Sequence, residues 1–334
     1  MGFCPSVAQT TTVREYAFEQ RLCARLEADS DAVVARQVGA GVHAPGGRVL
    51  DVVLVEPGAE FAERAAITER TIPPAAVESP VGPGRYRPVA EVLDGPPERR
   101  ERIVEAAVEA GFFERERRGG RAHVRQVVRY PDWFDRIVGV ENKPDLGRPG
   151  DLERQLRVDA SLAVVDEAWL ATASHVTGAH LHRIPDAVGV WRIDPETGER
   201  EVVRDAEALP VEDSGIEPLG TDPGRTEIRV ATATEKTRAR RRIAERAYGK
   251  GWRPAAYPAC ARVDPDDAGV PDCPWKGRPV DPARECGRDC PGHDPADPPA
   301  VDRAALRAAR SPWVADPEGR RRRQSGLDRF GDDD

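Results

Sequence analysis

Lysine is nearly missing from this sequence of 334 residues: Lys143, Lys236, Lys250 and Lys276 are the only four among 50 basic side chains. A generic solvated cation in this chain is written Arg, so a lysine inside an ordered element asks for a specific reason. Also lacking is any run approaching the roughly 18 apolar residues that a membrane helix needs. The N-terminal stretch MGFCPSVAQTTTVREY has neither the basic start nor the apolar middle of a signal peptide. The expectation is a cytoplasmic protein with no membrane partner. There is no G-x-x-x-x-G-K-[ST], no G-x-G-x-x-G after a strand and no G-x-S-x-G, so an NTPase, a dinucleotide enzyme or a common serine hydrolase has no support.

What is present starts with charge. The 58 acidic residues outweigh the basic ones and leave a net charge of -8, the balance of an acidic, salt-tolerant surface. Such a surface does not bind nucleic acid indiscriminately, and any such binding must use local basic patches. Hydrophobic residues make up 39%, enough for a packed core, while 30 glycines and 31 prolines imply long loops. Six cysteines in an intracellular chain point to metal or thiol chemistry rather than a disulfide framework.

Apolar periodicity organises the chain. Phe18, Leu22 and Leu26 recur at spacings of four and predict an amphipathic helix over 13–28. Two β-like runs follow, 32–38 and 48–56, around the turn signal HAPGG. Residues 57–97 are rich in Pro and Gly, 98–110 are helical in pattern, and FFERERRGGRAHVRQVV reads as a hairpin, so 60–130 suggest a winged-helix-like insert. Beyond it come a strand over 135–144, a helix over 151–165, a strand over 167–174 and a hairpin over 187–203. The fold class implied is α/β, a mixed sheet flanked by helices over 13–203. Residues 205–234 look linker-like, and 235–334 combine a basic helix with a cysteine-bearing C-terminal extension.

The chemistry concentrates on three residues. Asp51 is the one charge inside V-L-D-V-V-L-V, where an unpaired buried carboxylate is expensive and a divalent cation is one good partner. An edge position or an arginine partner is the plainer account. In I-V-G-V-E-N-K the two-residue period puts Glu141 and Lys143 on one strand face beside Gly139. Two carboxylates from neighbouring strands suit Mg²⁺ or Mn²⁺, and a nearby amine orients or helps deprotonate a water; the alternative is a simple Glu–Lys pair at a strand end.

This arrangement of Asp51, Glu141 and Lys143 resembles the PD-(D/E)XK nucleases, the restriction-endonuclease-like and RecB-like phosphodiesterases, over residues 13–203. The resemblance implies a restriction-endonuclease-like core, with Asp51 and Glu141 as metal ligands and Lys143 beside the attacking water. It further implies that Gln155 helps hold the substrate or the site, although Asp159 stands where RecB-like members usually have tyrosine, and a supporting acid at Glu19, with Glu15 as its rival. The whole chain is also similar to an uncharacterised family of halophilic archaea.

Cys260, Cys273, Cys286 and Cys290 form C-x12-C-x12-C-x3-C, with His293 just beyond, in a segment poor in apolar residues. Soft ligands there suggest structural Zn²⁺, with an iron–sulfur cluster as the alternative and free thiols as the plain reading. Some RecB-like nucleases carry a C-terminal [4Fe–4S] cluster, for which Cys4 or Cys23 would supply the ligand ahead of the core, although Cys23 also reads as core filler. Residues 235–253 carry a strong positive balance with Trp252 and Tyr257 close behind, which favours contact with a nucleic-acid backbone, and GRRRRQ (319–324) adds further positive charge. His175, His180 and His182 are a secondary site candidate. The expectation is a metal-dependent nuclease acting on nucleic acid, DNA being preferred; the alternative is a catalytically inactive DNA-binding or regulatory protein that uses the insert and the basic helix.

Overall fold

The computed structural model describes residues 7–43, 47–195, 197–222 and 224–319. The chain begins with helix α1 (Val7–Asp29) and strands β1 (Val33–Gly39) and β2 (Val49–Pro57). A second unit follows with α2 (Phe61–Ala65), α3 (Pro74–Val77), β3 (Arg87–Pro88), α4 (Val89–Val92), α5 (Pro97–Glu109), β4 (Phe113–Arg118) and β5 (Arg121–Gln126). The first unit resumes with β6 (Phe134–Asn142), α6 (Leu152–Leu162), β7 (Glu167–Thr172), α7 (Gly178–Leu181), β8 (Gly189–Ile193) and β9 (Arg200–Arg204). It continues through β10 (Gly215–Asp222), β11 (Arg225–Ala231) and α8 (Ala233–Lys250). The C-terminal region adds β12 (Asp264–Pro265), β13 (Pro271–Cys273), β14 (Arg278–Pro279), α9 (Pro282–Glu285) and α10 (Arg303–Arg310).

Six strands form one mixed sheet in the order β1-β2-β6-β7-β8-β9. The β1–β2–β6 steps and the β8–β9 step are antiparallel, whereas β6, β7 and β8 run parallel, joined through α6 and α7. The spacing of four seen in the sequence has its physical outcome here: Phe18, Leu22 and Leu26 of α1 pack with Val52, Val138 and Val140 of the sheet. At the β8 side the packing is tight. Trp169 stacks on Trp191 with centroids 4.4 Å apart, and a Cβ on Gly189 would come within 2.3 Å of the Trp169 ring.

Residues Glu60–Trp133 fall in a separate compact unit with a core of their own, including Val104 and Ala107 of α5, Phe112, Phe113 and Val124. Its three-stranded sheet has the order β3-β5-β4, with α4 and α5 between the first strand and the hairpin.

Two stretches differ from their sequence reading. The linker-like 205–234 carries the β10–β11 hairpin, whose alternation is obscured in the sequence by glycine, proline and an irregular register between Pro218 and Gly220. Most of 235–334 is not a separate region: through Ala315 it belongs to the same unit as the sheet, and Trp252 and Val270 join the α1 core. The reason is apolar. Helix α8 buries Ala239, Ile243, Ala244, Ala247 and Tyr248, and it packs along β1 and β2. Among the described residues no helix is long and apolar enough to cross a membrane. The Arg-rich tail beyond residue 319, Cys4 and the centre of the HAPGG turn lie outside the described residues.

Replacing Gly189 by alanine forces Trp169 out of its stack; the expected loss is about 1–3 kcal/mol of unfolding free energy, measured by urea titration.

Candidate active site

Strand register brings two acids together. Asp51 and Glu141 both flank the pair Val52↔Val140 at the same end of the β2–β6 ladder, and their carboxyl groups are within hydrogen-bonding reach of each other. Glu141 is buried and Asp51 half-buried, so the pair has one side toward solvent. Burial pushes the Glu141 carboxyl up to about 8, with the charge of Asp51 adding to the rise and Arg48 opposing it. Burial likewise raises Asp51, against the backbone N–H of Asn142, the amide of Gln37 and the charge of Arg48. Two carboxyls in contact cannot both ionise cheaply, so they hold a proton unless a cation replaces it.

Each acid is fixed by a different neighbour. Asp51 accepts from the Asn142 backbone N–H at 2.9 Å and from Gln37 Nε2 at 3.1 Å. The same Nε2 donates to Glu19 at 3.0 Å, so Gln37 bridges Glu19 and Asp51, and Arg36 also donates to Glu19. Gln37 stands across from Asp51 between the β1–β2 pairs Arg36↔Val52 and Val38↔Leu50, with φ at 52°, a left-handed conformation uncommon outside glycine. Burial raises the Glu19 carboxyl, while Arg36 pulls it down.

On the other acid, Arg48 donates to Glu141 at 2.7 Å and, through Nε and a terminal nitrogen, to Asp159 of α6 at 2.7 and 2.5 Å. Burial works to lower the Arg48 pKa, but its hydrogen bonds to Asp159 and the charges of Asp159 and Glu141 outweigh it and hold the guanidinium charged. A buried pair of this kind is costly to break from one side only. The α6 residue linked to the acids is thus Asp159; Gln155 is half-buried and makes no side-chain hydrogen bond among the described residues.

Lys143 follows the end of β6 and donates to Glu15 of α1 at 2.6 Å. Next to it, Asn142 donates its side-chain N–H to the carbonyl of Glu15, while its Oδ1 is buried without a hydrogen-bond partner. The structure therefore joins Asp51, Glu141 and Glu19 in one chain of contacts and ties Lys143 to Glu15. Gln37 and Arg48 escaped the sequence reading. Nothing marks a glutamine for a left-handed bridge, and an arginine just ahead of V-L-D is one of many in this chain.

The other candidates are more dispersed. His180 caps the short α7 in a reciprocal pair with Thr177, and His175 and His182 are exposed. Cys260, Cys273, Cys286 and Cys290 are free thiols; Cys260 and Cys273 share a small core with Val263 and Val280, against which Cys286 packs. Burial pushes the Cys286 thiol up to about 11, with Lys276 opposing and the other three thiols adding to the rise. Cys23 is buried in the α1 core. Among the described residues no group of three or more His, Cys, Asp or Glu stands at metal-holding spacing.

Fold and site define the class: a mixed α/β protein with a partly buried carboxyl pair at a strand end, braced by an arginine and a glutamine. The chain belongs to the family of unknown function DUF5787, whose model matches residues 33–295. No curated protein and no solved structure matches it.

Because Glu141 is raised from 4.5 to about 8, its stabilising protonated form is fully present below about pH 4.5 and lost as pH rises through about 8. In EDTA the thermal midpoint of the parent protein is expected to fall across that window, and Glu141→Gln to flatten the profile. A parent profile already flat would contradict the shared-proton account.

Proposed function

We propose that this protein is a metal-dependent nuclease that hydrolyses nucleic-acid phosphodiesters, DNA being the preferred substrate. The observation that carries the reading is the contact between Asp51 and Glu141 on adjacent strands, a carboxyl pair open to solvent on one side and suited to exchanging its proton for a divalent cation. The buried Asn142 Oδ1 without a partner, next in sequence to Glu141, adds a spare oxygen donor of the kind hard cations take. The order α1, β1, β2, β6, α6, β7, with β7 parallel to β6, supports a restriction-endonuclease-like core of the PD-(D/E)XK kind.

Asp51 and Glu141 would hold Mg²⁺ or Mn²⁺, which neutralises developing phosphate charge and activates water. Arg48, anchored by Asp159, fixes the Glu141 carboxylate. Gln37 fixes Asp51 and ties it to Glu19. Lys143, held by Glu15, supplies the ammonium that orients the attacking water or a phosphate oxygen. Gln155, exposed in part on α6, is available to substrate. The lysine-poor, acidic composition fits a salt-rich cytoplasm such as a halophile's.

One observation favours the second reading, a DNA-binding protein without activity: the Lys143–Glu15 ion pair occupies the amine that hydrolysis needs. The β3-β5-β4 order with α4 and α5 ahead of the hairpin supports a winged-helix insert, which serves either reading.

The four C-terminal cysteines would hold structural Zn²⁺, with [4Fe–4S] as the alternative. Their support is the donor set: four free thiols near a small core on strands of two or three residues, in a region too short of apolar contacts to hold itself.

Labelled single- and double-stranded DNA is expected to be cut with Mg²⁺ or Mn²⁺, and Asp51→Asn, Glu141→Gln and Lys143→Ala each to lose at least about 100-fold in rate. Binding without metal-dependent cleavage would select the second reading. Elemental analysis of anaerobically purified protein is expected to return one zinc per chain, lost on replacing Cys273 and Cys286 by serine; a brown protein absorbing near about 400 nm would select iron–sulfur.

A further inference from the structure

The hairpin β10–β11 forms a two-stranded sheet of its own. Such a ribbon is marginal unless a face is packed, and only one of its faces is. On that face a Cβ at Gly215 would come within 2.2 Å of the Leu162 carbonyl of α6, and the buried Glu217 accepts from the backbone N–H groups of Val42 and His43. The pairs Ile216↔Val230 and Pro218↔Ile228 set the opposite face, where Ile228 is 55% and Val230 57% exposed and Ile216 is exposed as well. Clustered β-branched side chains left in water mark a surface that meets another one.

The free edge is that of β11. Residue pairs in an antiparallel ladder alternate between those that exchange hydrogen bonds and those whose N–H and C=O groups point away from the neighbouring strand. The Ile216 carbonyl turns away from β11 to accept from the Ser161 hydroxyl of α6 at 3.3 Å, and Pro218, two residues on, has no N–H to exchange. Ile216↔Val230 and Pro218↔Ile228 are therefore non-exchanging pairs, and Ile228 and Val230 direct their own N–H and C=O groups outward. Among the described residues nothing bonds to them there.

The sequence of that edge, R-T-E-I-R-V-A over Arg225–Ala231, complements itself. Turned antiparallel about its centre, β11 sets Ile228 against the partner's Ile228, Val230 against the partner's Thr226 and Glu227 against the partner's Arg229. Because Ile228 points outward, its pair exchanges hydrogen bonds in this register. The flanking Glu227 and Arg229 then form the close, non-exchanging pairs, with Cα atoms about 4.5 Å apart and side chains in reach of each other. Glu227 forms no ion pair among the described residues, and Arg229 reaches Glu235 at 3.5 Å with its side chain 54% exposed.

We propose that β11 is the contact of a symmetric dimer, in which two copies of this chain join their hairpins edge to edge into one antiparallel sheet, β10-β11-β11-β10. The occupant is a second copy because the register that matches the charges is the one with a two-fold axis through Ile228, and it pairs the whole of β11. Closing the dimer removes the open edge, and α6 already stands beside β10. The proposal does not rest on the nuclease reading. The competing role, alternating charges that merely keep an exposed edge soluble, needs no partner.

The test is sedimentation of the full chain from about 1 to 100 μM. The parent is expected to shift with concentration from the 36.5 kDa of one chain toward twice that mass. Glu227→Arg and Arg229→Glu each set like charges opposite one another, and each is expected to weaken its own dimer at least about tenfold. Mixed in equal amounts the two variants are expected to pair with each other, because every 227/229 contact then joins opposite signs. Ile228→Pro deletes an N–H that only the dimer uses and is expected to give a folded monomer by circular dichroism. A parent that stays monomeric, a dimer indifferent to the charge reversals, or a mixture that associates no better than its components overturns the edge pairing.

Discussion

Two carboxyl groups in contact, one buried and one half-buried, govern this structure. Each would be costly alone in an apolar sheet, and their mutual repulsion makes joint ionisation costlier still. Everything around them answers that constraint. Arg48 and Asp159 brace Glu141, the Asn142 amide and Gln37 brace Asp51, and Glu19 holds the far side of Gln37. A shared proton is one resolution; the divalent cation we propose is the other, replacing that proton with positive charge.

The position of the pair follows from the sheet. The register that sets Val52 across from Val140 fixes Asp51 and Glu141 at one end of the ladder, and the second unit leaves from the opposite end of β2, where Glu56 meets Arg136. Inserting Glu60–Trp133 there lengthens the connection between two paired strands without touching their register. Such an insertion is tolerated because closure entropy grows slowly with loop length, and here the inserted chain carries its own core.

Helix α8 combines two kinds of cation on one element. Lys236 and Arg240, turned into the fold, are held by carbonyls and by Asp166, and Arg242, Arg246 and Lys250 lie beside β1. An edge strand left bare invites pairing with another chain, and a row of charged side chains beside it discourages that. The same contacts explain why the C-terminal half is no appendage: Trp252 donates to the buried Glu27, which Arg253 also holds, locking the segment after α8 to α1.

Composition and periodicity by themselves determined the α/β class, the amphipathic α1, the valine-rich β2 and β6 and the hairpins β4–β5 and β8–β9, because period and turn chemistry are local properties. They also singled out Asp51 and Glu141, since a lone charge in an apolar strand is visible without a partner. The partners were not visible. Gln37 and Arg48 owe their roles to register and to one left-handed backbone angle, and Lys143 meets Glu15 only because α1 lies beside the end of β6. Which basic residues of α8 are buried and which are exposed was equally hidden, since arginine and lysine at every turn leave no apolar pattern to read. Contacts between residues distant in sequence are decided by packing, and only the folded chain brings Glu15 to Lys143, Arg48 to Asp159 and α8 to the edge of β1.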